Sequence, residues 1–158
     1  MAAPTLPLVI GIGNEDRSDD GVGPRVARAV LEELGTTIRV SEVPGPVTDL
    51  LDLWRDADDV YVIDAVQSGG RAGELHRFEV GSSPLPSRLG ATSTHGLSLA
   101  DAVALAESLD SKPRRLVIYG VEAANLAAGA ALSPAVESAI PLVARRLIEE
   151  IRGRRSPR

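Results

Sequence analysis

Hydrophobic and polar positions along the chain follow two periods, one typical of strands and one typical of helices. Apolar runs predict strands in LPLVIGIG, TIRVSEV, DDVYVIDAV, GELHRFEV and RRLVIYGVE. Helical spacing predicts helices in DGVGPRVARAVLEEL, PVTDLLDLWRDA, LSLADAVALAESL and LSPAVESAIPLVARRLIEEI. The order β-α-β-α-β-β-α-β-α indicates an α/β fold, in which helices cover both faces of a mostly parallel sheet.

The ends of the first and last helices carry local signals. The first helix has an apolar stripe of Val22, Val26, Val30 and Leu34. Asp19 or Asp20 is expected to cap its start, and Gly35 to end it. In the last helix, Ser133 is expected at the N-cap, and Pro141 is expected to kink the helix or split it in two. A Pro/Ser/Gly-rich connection is predicted over residues 82–93.

Composition narrows the class of protein. The 158 residues, 44% of them apolar, predict one domain over 1–158 with a core of about 6–152. A formal net charge of −5 argues against nonspecific nucleic-acid binding, and the lack of cysteine excludes disulfides and thiolate metal sites. No signal peptide or membrane-spanning run is recognised, so a cytoplasmic protein without membrane attachment is expected.

The loop after the first strand, in VIGIGNEDRSDDGVGP, is acidic. It begins like a dinucleotide-binding turn, but Asp16 replaces the third glycine of the G-x-G-x-x-G pattern, and a carboxylate there would repel a pyrophosphate. Glu15, Asp19 and Asp20 add three further carboxylates. The charge favours a cationic ligand. The alternative is a glycine turn whose acidic residues stabilise the start of the following helix.

Two further residues are expected near the same crevice, because ligands of open α/β sheets bind beyond the carboxyl ends of the strands. Asp64 ends the third strand, and His95 precedes a helix in STHGLSLAD. Two carboxylates and one imidazole suit nickel or zinc and leave positions open. Alternatively, Asp64 accepts backbone N–H groups and His95 forms hydrogen bonds at a helix start. His76 is expected to be structural or solvent-facing.

Three segments, GIGNEDRSDDGVGP, VIDAV and THGLSLADAVALA, closely resemble in this order the [NiFe]-hydrogenase maturation proteases. YGVE and ALSPAVESAI are similar to the family's last strand and helix, so the resemblance covers about residues 8 to 150. It implies a three-layer α/β/α sandwich with a five-stranded sheet, ordered 2-1-3-5-4, in which strand four is antiparallel.

The resemblance also implies a function. These endopeptidases remove the C-terminal extension of the hydrogenase large-subunit precursor, which already carries nickel. Asp20, Asp64 and His95 match the family's metal-binding positions and are the expected catalytic residues. Nickel is expected to arrive with the substrate, and zinc or cadmium to substitute in crystals. The expected partner is that precursor, and the chain itself is expected to be a monomer.

Two segments depart from the family pattern. The glycine-rich loop after strand two appears here as EVPGPVTDLL, and a proline common after the last strand is missing from GVEAAN. In the family, the loop after strand two is implicated in substrate recognition, so its departure here leaves two alternatives open. One is a nickel-sensing scaffold that docks on the precursor without cutting it. The other is a hydrolase or small-ligand binder on the same fold, whose acidic cluster binds a cation such as an amine.

Overall fold

The computed structural model of the chain describes residues 5–44, 46–82, 84–86 and 98–155. The strands are β1 (Leu8–Ile12), β2 (Arg39–Val43), β3 (Asp59–Val66), β4 (Leu75–Glu79) and β5 (Arg115–Glu122). The helices are α1 (Val22–Leu34), α2 (Leu50–Leu53), α3 (Leu99–Ser108) and α4 (Pro134–Arg155), and a 3₁₀ turn, Ser18–Gly21, leads into α1. Each strand and helix predicted from the hydrophobic pattern is present. Most of the predicted connection 82–93 lies outside the described residues.

The sheet has five strands in the order β2-β1-β3-β5-β4, as the resemblance implied. β1 pairs in parallel with β2 and β3, and β3 pairs in parallel with β5. β4 runs antiparallel to β5, with Leu75 opposite Val121 and Glu79 opposite Val117. The first residues of β4 therefore lie at the same edge of the sheet as the carboxyl ends of β3 and β5.

Two apolar clusters cover the two faces of the sheet. Tyr61, Ile63 and Ala65 of β3 face a cluster built from α1 and α4. Val62 and Val66 of the same strand face the other cluster, built from α2 and α3. The alternation gives three layers, helices, sheet and helices, and confirms the α/β/α sandwich. Within the described ranges, no helix is long and apolar enough to cross a membrane.

The start of α1 lies directly on the carboxyl ends of β1 and β3. A Cβ atom at Gly23 would come within 2.3 Å of the Ile12 carbonyl oxygen and 2.5 Å of that of Ile63. A Cβ at Gly11 would lie 2.6 Å from the Gly23 carbonyl oxygen. Only glycine permits this approach. The close contact brings the residues just before α1 to the edge of the sheet where ligands bind in this class of fold.

The predicted acidic cap of α1 is wrong, whereas its predicted end is confirmed. Gly21 is the N-cap of α1, and no side chain caps the helix. Asp19 instead accepts a hydrogen bond from Ser133, at the start of α4, and Asp20 accepts one from Asn14 of its own loop, so neither caps α1. At the other end, Gly35 adopts φ = 54° and donates its N–H to the Leu31 carbonyl oxygen.

The last helix continues through its proline. Pro141 lies inside α4 and is exposed, so the predicted split of the helix is wrong. Ile140, Val143, Ala144 and Leu147 on its other side are buried in the cluster shared with α1. This burial of an apolar face offsets the one hydrogen bond that a proline removes. Ser133 precedes the first residue of α4, as expected.

Glu150 holds the second half of α4 on the sheet. Its carboxylate accepts hydrogen bonds from Arg77 at 2.6 and 2.9 Å, from Arg115 at 2.7 Å, and from the Tyr119 hydroxyl. Burial opposes ionisation, but these donors outweigh it and lower the pKa of Glu150 to about 2. The cluster lies at the edge of the sheet opposite the carboxyl ends, so it supports the fold without contributing to the crevice.

We expect Glu150→Gln to lower the free energy of unfolding at pH 7 by about 2 to 3 kcal/mol. The substitution removes the negative charge that pairs with the partly buried guanidinium groups of Arg77 and Arg115. The pKa of Glu150 is lower in the folded chain than its ordinary 4.5. Its contribution is therefore complete above pH 4.5 and is lost as the pH falls toward 2. Urea unfolding at several pH values measures this, with exposed Glu149→Gln as the control. An equal loss in both variants would contradict the assignment.

Candidate functional site

Asp20 and Asp64 lie together at the carboxyl edge of the sheet. Asp64 is in β3 and Asp20 in the 3₁₀ turn, which packs against β3. Both side chains are buried, Asp64 at 2% and Asp20 at 7% relative exposure. The structure therefore confirms that these two predicted residues share one place in the fold.

Each carboxylate has one backbone donor among the described residues. Asn14 N–H donates to Asp20 Oδ2 at 2.9 Å, and Ala65 N–H donates to Asp64 Oδ1 at 2.8 Å. No arginine, lysine or histidine in the described ranges forms an ion pair with either one. A buried carboxylate normally needs several donors or a cation. Within the described ranges, this pair therefore has neither several donors nor a cationic side chain beside it.

The electrostatics of the pair lead to the same conclusion. Burial raises the pKa of Asp64 well above its ordinary value, and the neighbouring charge of Asp20 raises it further. The single hydrogen bond from Ala65 opposes this only weakly. In the absence of a cation, Asp64 is therefore biased toward its protonated form. A bound cation would displace that proton and relieve the repulsion between the two carboxylates.

His95, the third predicted ligand, lies outside the described residues. Ser98, three positions later, is the N-cap of α3 and forms a capping box with Asp101. Across 5–44, 46–82, 84–86 and 98–155, no three His, Cys, Asp or Glu side chains form a group that could hold a metal ion. Of the three predicted ligands, the described ranges contain Asp20 and Asp64, and the ligand role of all three remains a prediction.

Asp19, next to Asp20, has a structural role. Its carboxylate accepts the N–H groups of Ala124 and Asn125, both at 2.9 Å, and the N–H and hydroxyl of Ser133 at 2.7 and 2.8 Å. Burial opposes its ionisation, but the four donors outweigh burial and lower its pKa. Asp19 therefore fastens the 3₁₀ turn to the segment after β5 and to the start of α4.

The other two carboxylates of the acidic loop do not join the pair. Glu15 accepts two hydrogen bonds from the Arg28 guanidinium at 2.8 Å, and Arg28 also binds Glu42 of β2. Asp16 is exposed, and its backbone N–H donates to the Asn14 side chain. Of the four carboxylates of the loop, only that of Asp20 therefore lies beside Asp64.

A second polar cluster lies at the same edge of the sheet and was not predicted. Glu122, at the end of β5, is 1% exposed. Its carboxylate accepts the N–H and hydroxyl of Ser68, at 2.8 and 2.5 Å, and lies 3.0 Å from His76 Nε2. The signal in the sequence is the one that identified Asp64, an acidic residue that ends an apolar strand.

Comparison with known proteins places this geometry in a family. Residues 46–150 match the family model for HycI, hydrogenase maturation protease. The chain belongs to the hydrogenase maturation protease family. The resemblance stated from sequence motifs is thereby confirmed, and the predicted peptidase class agrees with the description of that family.

Named relatives of the family are found among bacterial hydrogenase proteins. The chain is 33% identical, over 84% of its length, to the hydrogenase expression/formation protein HupD of Thiocapsa roseopersicina, and spans 62% of that protein. It is 29% identical, over 94% of its length, to HupD of Rhodobacter capsulatus and spans 72% of it. The chain therefore covers less than two thirds of the first relative.

Solved structures show the same fold. The hydrogenase maturating endopeptidase HybD from E. coli superposes with a TM-score of 0.77 at 23% identity, covering 96% of this chain and 94% of that one. The [NiFe] hydrogenase maturation protease HybD from Thermococcus kodakarensis gives a TM-score of 0.73 at 23% identity, covering 93% and 99%. At 23% identity, these superpositions show a shared fold and nothing further.

We expect the metal-free Asp64→Asn variant to be more stable than the wild type, by a difference that grows as the pH rises. The pKa of Asp64 is raised in the folded chain, so above pH 3.8 the unfolded chain loses a proton that the folded chain retains. The free energy of unfolding of the wild type therefore decreases as the pH rises from 3.8 toward the raised pKa of Asp64. Asparagine does not ionise, so the variant lacks this decrease.

Thermal melts from pH 4 to pH 9, in the presence of a chelator, measure the difference between variant and wild type. The matched control is Asp52→Asn, whose carboxylate is exposed and pairs with Arg55. A difference for Asp64→Asn that does not grow with pH would show that Asp64 is ionised in the free protein.

Proposed function

We propose that the protein is an endopeptidase that removes the C-terminal extension of a [NiFe]-hydrogenase large-subunit precursor, and that nickel carried by the precursor binds at Asp20 and Asp64. The observation that carries this proposal is the pair of buried carboxylates without a cationic partner in the described ranges. They lie at the ligand-binding edge of a chain that belongs to the hydrogenase maturation protease family.

Nickel suits the chemistry of the pair. Carboxylate oxygens and a histidine nitrogen are acceptable ligands for nickel and zinc, and two or three protein ligands leave positions for groups of the precursor. The ion would supply the positive charge that both buried carboxylates lack. In this proposal His95 is the third ligand, and the ion is part of the substrate rather than a resident cofactor.

The proposed reaction is hydrolysis of one peptide bond. A water molecule adds to the carbonyl carbon, and the C–N bond then breaks. The products are a new carboxyl group on the large subunit and a new amino group on the released extension. Asp64, once its own proton has been displaced by the cation, is the proposed acceptor of the water's proton, through the carboxylate oxygen that does not bind the ion.

The curated relatives support a role in hydrogenase formation. Two of them are hydrogenase expression/formation proteins named HupD, and a further relative, HoxM of Azotobacter vinelandii, is 32% identical over 80% of the chain. We also propose that the partner of the protein is the large-subunit precursor, that the protein acts as a monomer, and that it works in the cytoplasm. Because the chain spans only part of most of these relatives, each needs its own test.

The proposal predicts selective cleavage of nickel-loaded precursor. Purified protein should release a C-terminal peptide from that precursor and leave nickel-free precursor intact, as mass spectrometry would show. Asp20→Asn, Asp64→Asn and His95→Ala should each reduce the single-turnover rate at least a hundredfold, because each removes a ligand of the ion. Circular dichroism should show unchanged folding.

Asp16→Asn is the matched control, since Asp16 is an exposed carboxylate of the same loop. It should cleave at the wild-type rate. Equal cleavage of nickel-free and nickel-loaded precursor would contradict recognition through nickel. Tight binding of the precursor without release of any peptide would instead favour a scaffold that does not cut.

A further inference from the structure

We infer that Arg17, which precedes the turn that carries Asp20, binds a carboxylate of the precursor. The inference rests on the proposed function, because it adds a second contact with the precursor near the proposed nickel site. Two groups of the precursor have this chemistry: an acidic side chain, and the terminal carboxylate of the extension.

Arg17 is a basic residue without a partner at an acidic edge of the protein. Its side chain is partly buried. Across the described ranges, the guanidinium group forms no ion pair and donates no hydrogen bond. Such a group has five N–H donors, and removing it from water costs free energy unless acceptors replace the water. The donors of Arg17 are therefore left to water or to a ligand.

The four carboxylates of the acidic loop do not neutralise Arg17 by direct contact. Three of them accept hydrogen bonds from other donors, namely Glu15, Asp19 and Asp20. The fourth, Asp16, is exposed and forms no ion pair within the part of the chain that the structure describes. Their negative charges still attract a cation at short range, which explains how the guanidinium is tolerated there without a bond.

The backbone of Arg17 is fixed close to Asp20. The Asp20 N–H donates to the Arg17 carbonyl oxygen at 3.1 Å, and the Arg17 N–H donates to that of Asn14 at 3.1 Å. The first of these bonds closes a four-residue turn, whose end Cα atoms lie within about 7 Å of each other. The residues on either side, Asp16 and Ser18, are bound to the segment after β5 by hydrogen bonds of 2.7 Å. The side chain of Arg17 thus extends from a rigid position near a proposed nickel ligand.

A carboxylate is the ligand that suits this cation. The planar guanidinium group can donate two parallel N–H bonds to the two oxygens of one carboxylate, and both bonds are strengthened by charge. A carbonyl oxygen brings no charge and leaves most of the donors unused. Without a cation, the acidic loop would repel any carboxylate of the precursor that comes near the nickel site. Arg17 supplies that cation.

Two substitutions separate the charge of Arg17 from its geometry. Arg17→Gln removes the positive charge, whereas Arg17→Lys keeps the charge and loses the planar pair of donors. Arg25→Gln is the matched control, because it removes one positive charge from an exposed arginine at the start of the adjoining helix α1. The single ion pair of Arg25, with Glu137, spans 3.9 Å.

The experiment measures the Kd of nickel-loaded precursor by fluorescence anisotropy at several salt concentrations. Arg17→Gln should raise Kd about five- to tenfold at low salt, and this difference should shrink as salt screens the attraction. Arg17→Lys should fall between Arg17→Gln and wild type, and Arg25→Gln should match wild type. The melting temperature of Arg17→Gln should equal that of wild type, because the substitution breaks no bond within the described ranges.

A precursor whose extension ends in an amide distinguishes the two sources of the carboxylate. If the terminal carboxylate is the ligand, wild type should bind the amide as weakly as Arg17→Gln binds the ordinary precursor. If an acidic side chain is the ligand, wild type should bind both precursors equally, and the loss in Arg17→Gln should persist with each. Both outcomes support a carboxylate at Arg17.

Equal Kd values for Arg17→Gln and wild type would overturn the inference, as would an equal increase in Arg25→Gln or a loss that does not depend on salt. Cleavage assays on the same proteins distinguish this failure from failure of the proposed function. If wild type binds the precursor but does not cut it, the contrast in Kd still supports the contact at Arg17. If wild type cuts and Arg17→Gln binds and cuts as wild type does, the inference alone is wrong.

Discussion

The buried carboxylate of Asp19 is the contact on which the candidate site depends. It accepts four hydrogen bonds from Ala124, Asn125 and Ser133, and its own N–H donates to the Asn125 carbonyl oxygen. These bonds join the turn before α1 to the segment after β5 and to the start of α4. Ser18, beside it, is held at φ = 52° and donates its hydroxyl to the Ala131 carbonyl oxygen. Asp20 is fixed at the edge of the sheet because its neighbours are fixed in this way.

The fixed turn explains how the protein maintains an unfavourable arrangement at Asp64. Burial and the neighbouring charge of Asp20 disfavour ionisation of Asp64, and only one backbone donor reaches each carboxylate in the described ranges. Neither can move away, because Gly23 brings α1 against β1 and β3 and Asp19 holds the preceding turn. The cost of burying these two carboxyl groups is tolerated because both faces of the sheet bury large apolar clusters. Such stored destabilisation is typical of sites that bind a charged ligand.

Most of the fold could be predicted from sequence, because its helices and strands depend on local periodicity. The valine stripe of α1 and the apolar runs of β3 and β5 are local, and the structure confirms them. Strand order came from the resemblance. The same local reasoning failed for Asp19, whose donors lie 105 to 114 positions away in the chain. It also failed where it allowed Pro141 to split α4 in two, because burial of the opposite helix face outweighs that local preference.

The position of Asp64 was predictable because a carboxylate near the carboxyl end of a buried strand lies at the ligand-binding edge of the sheet. Asp20 was indicated instead by the acidic loop between β1 and α1. Glu122 carries the same signal as Asp64, but its partners Ser68 and His76 are recognised only once the strands are paired, since they lie 54 and 46 positions away. The carboxylates of the acidic loop have different partners, which are also recognised only in the folded chain. Glu15 binds Arg28 and Asp19 binds the last helix, and these contacts leave Asp20 to face Asp64.

The central claim is that Asp20 and Asp64 bind one divalent cation between them. Anomalous X-ray scattering from crystals soaked in nickel, recorded on both sides of the nickel absorption edge, tests it most directly. The account predicts a peak within about 2.0 to 2.2 Å of a carboxylate oxygen from each residue. That peak should be lost in crystals of Asp64→Asn. A nickel peak elsewhere, with none between these two carboxylates, would contradict it.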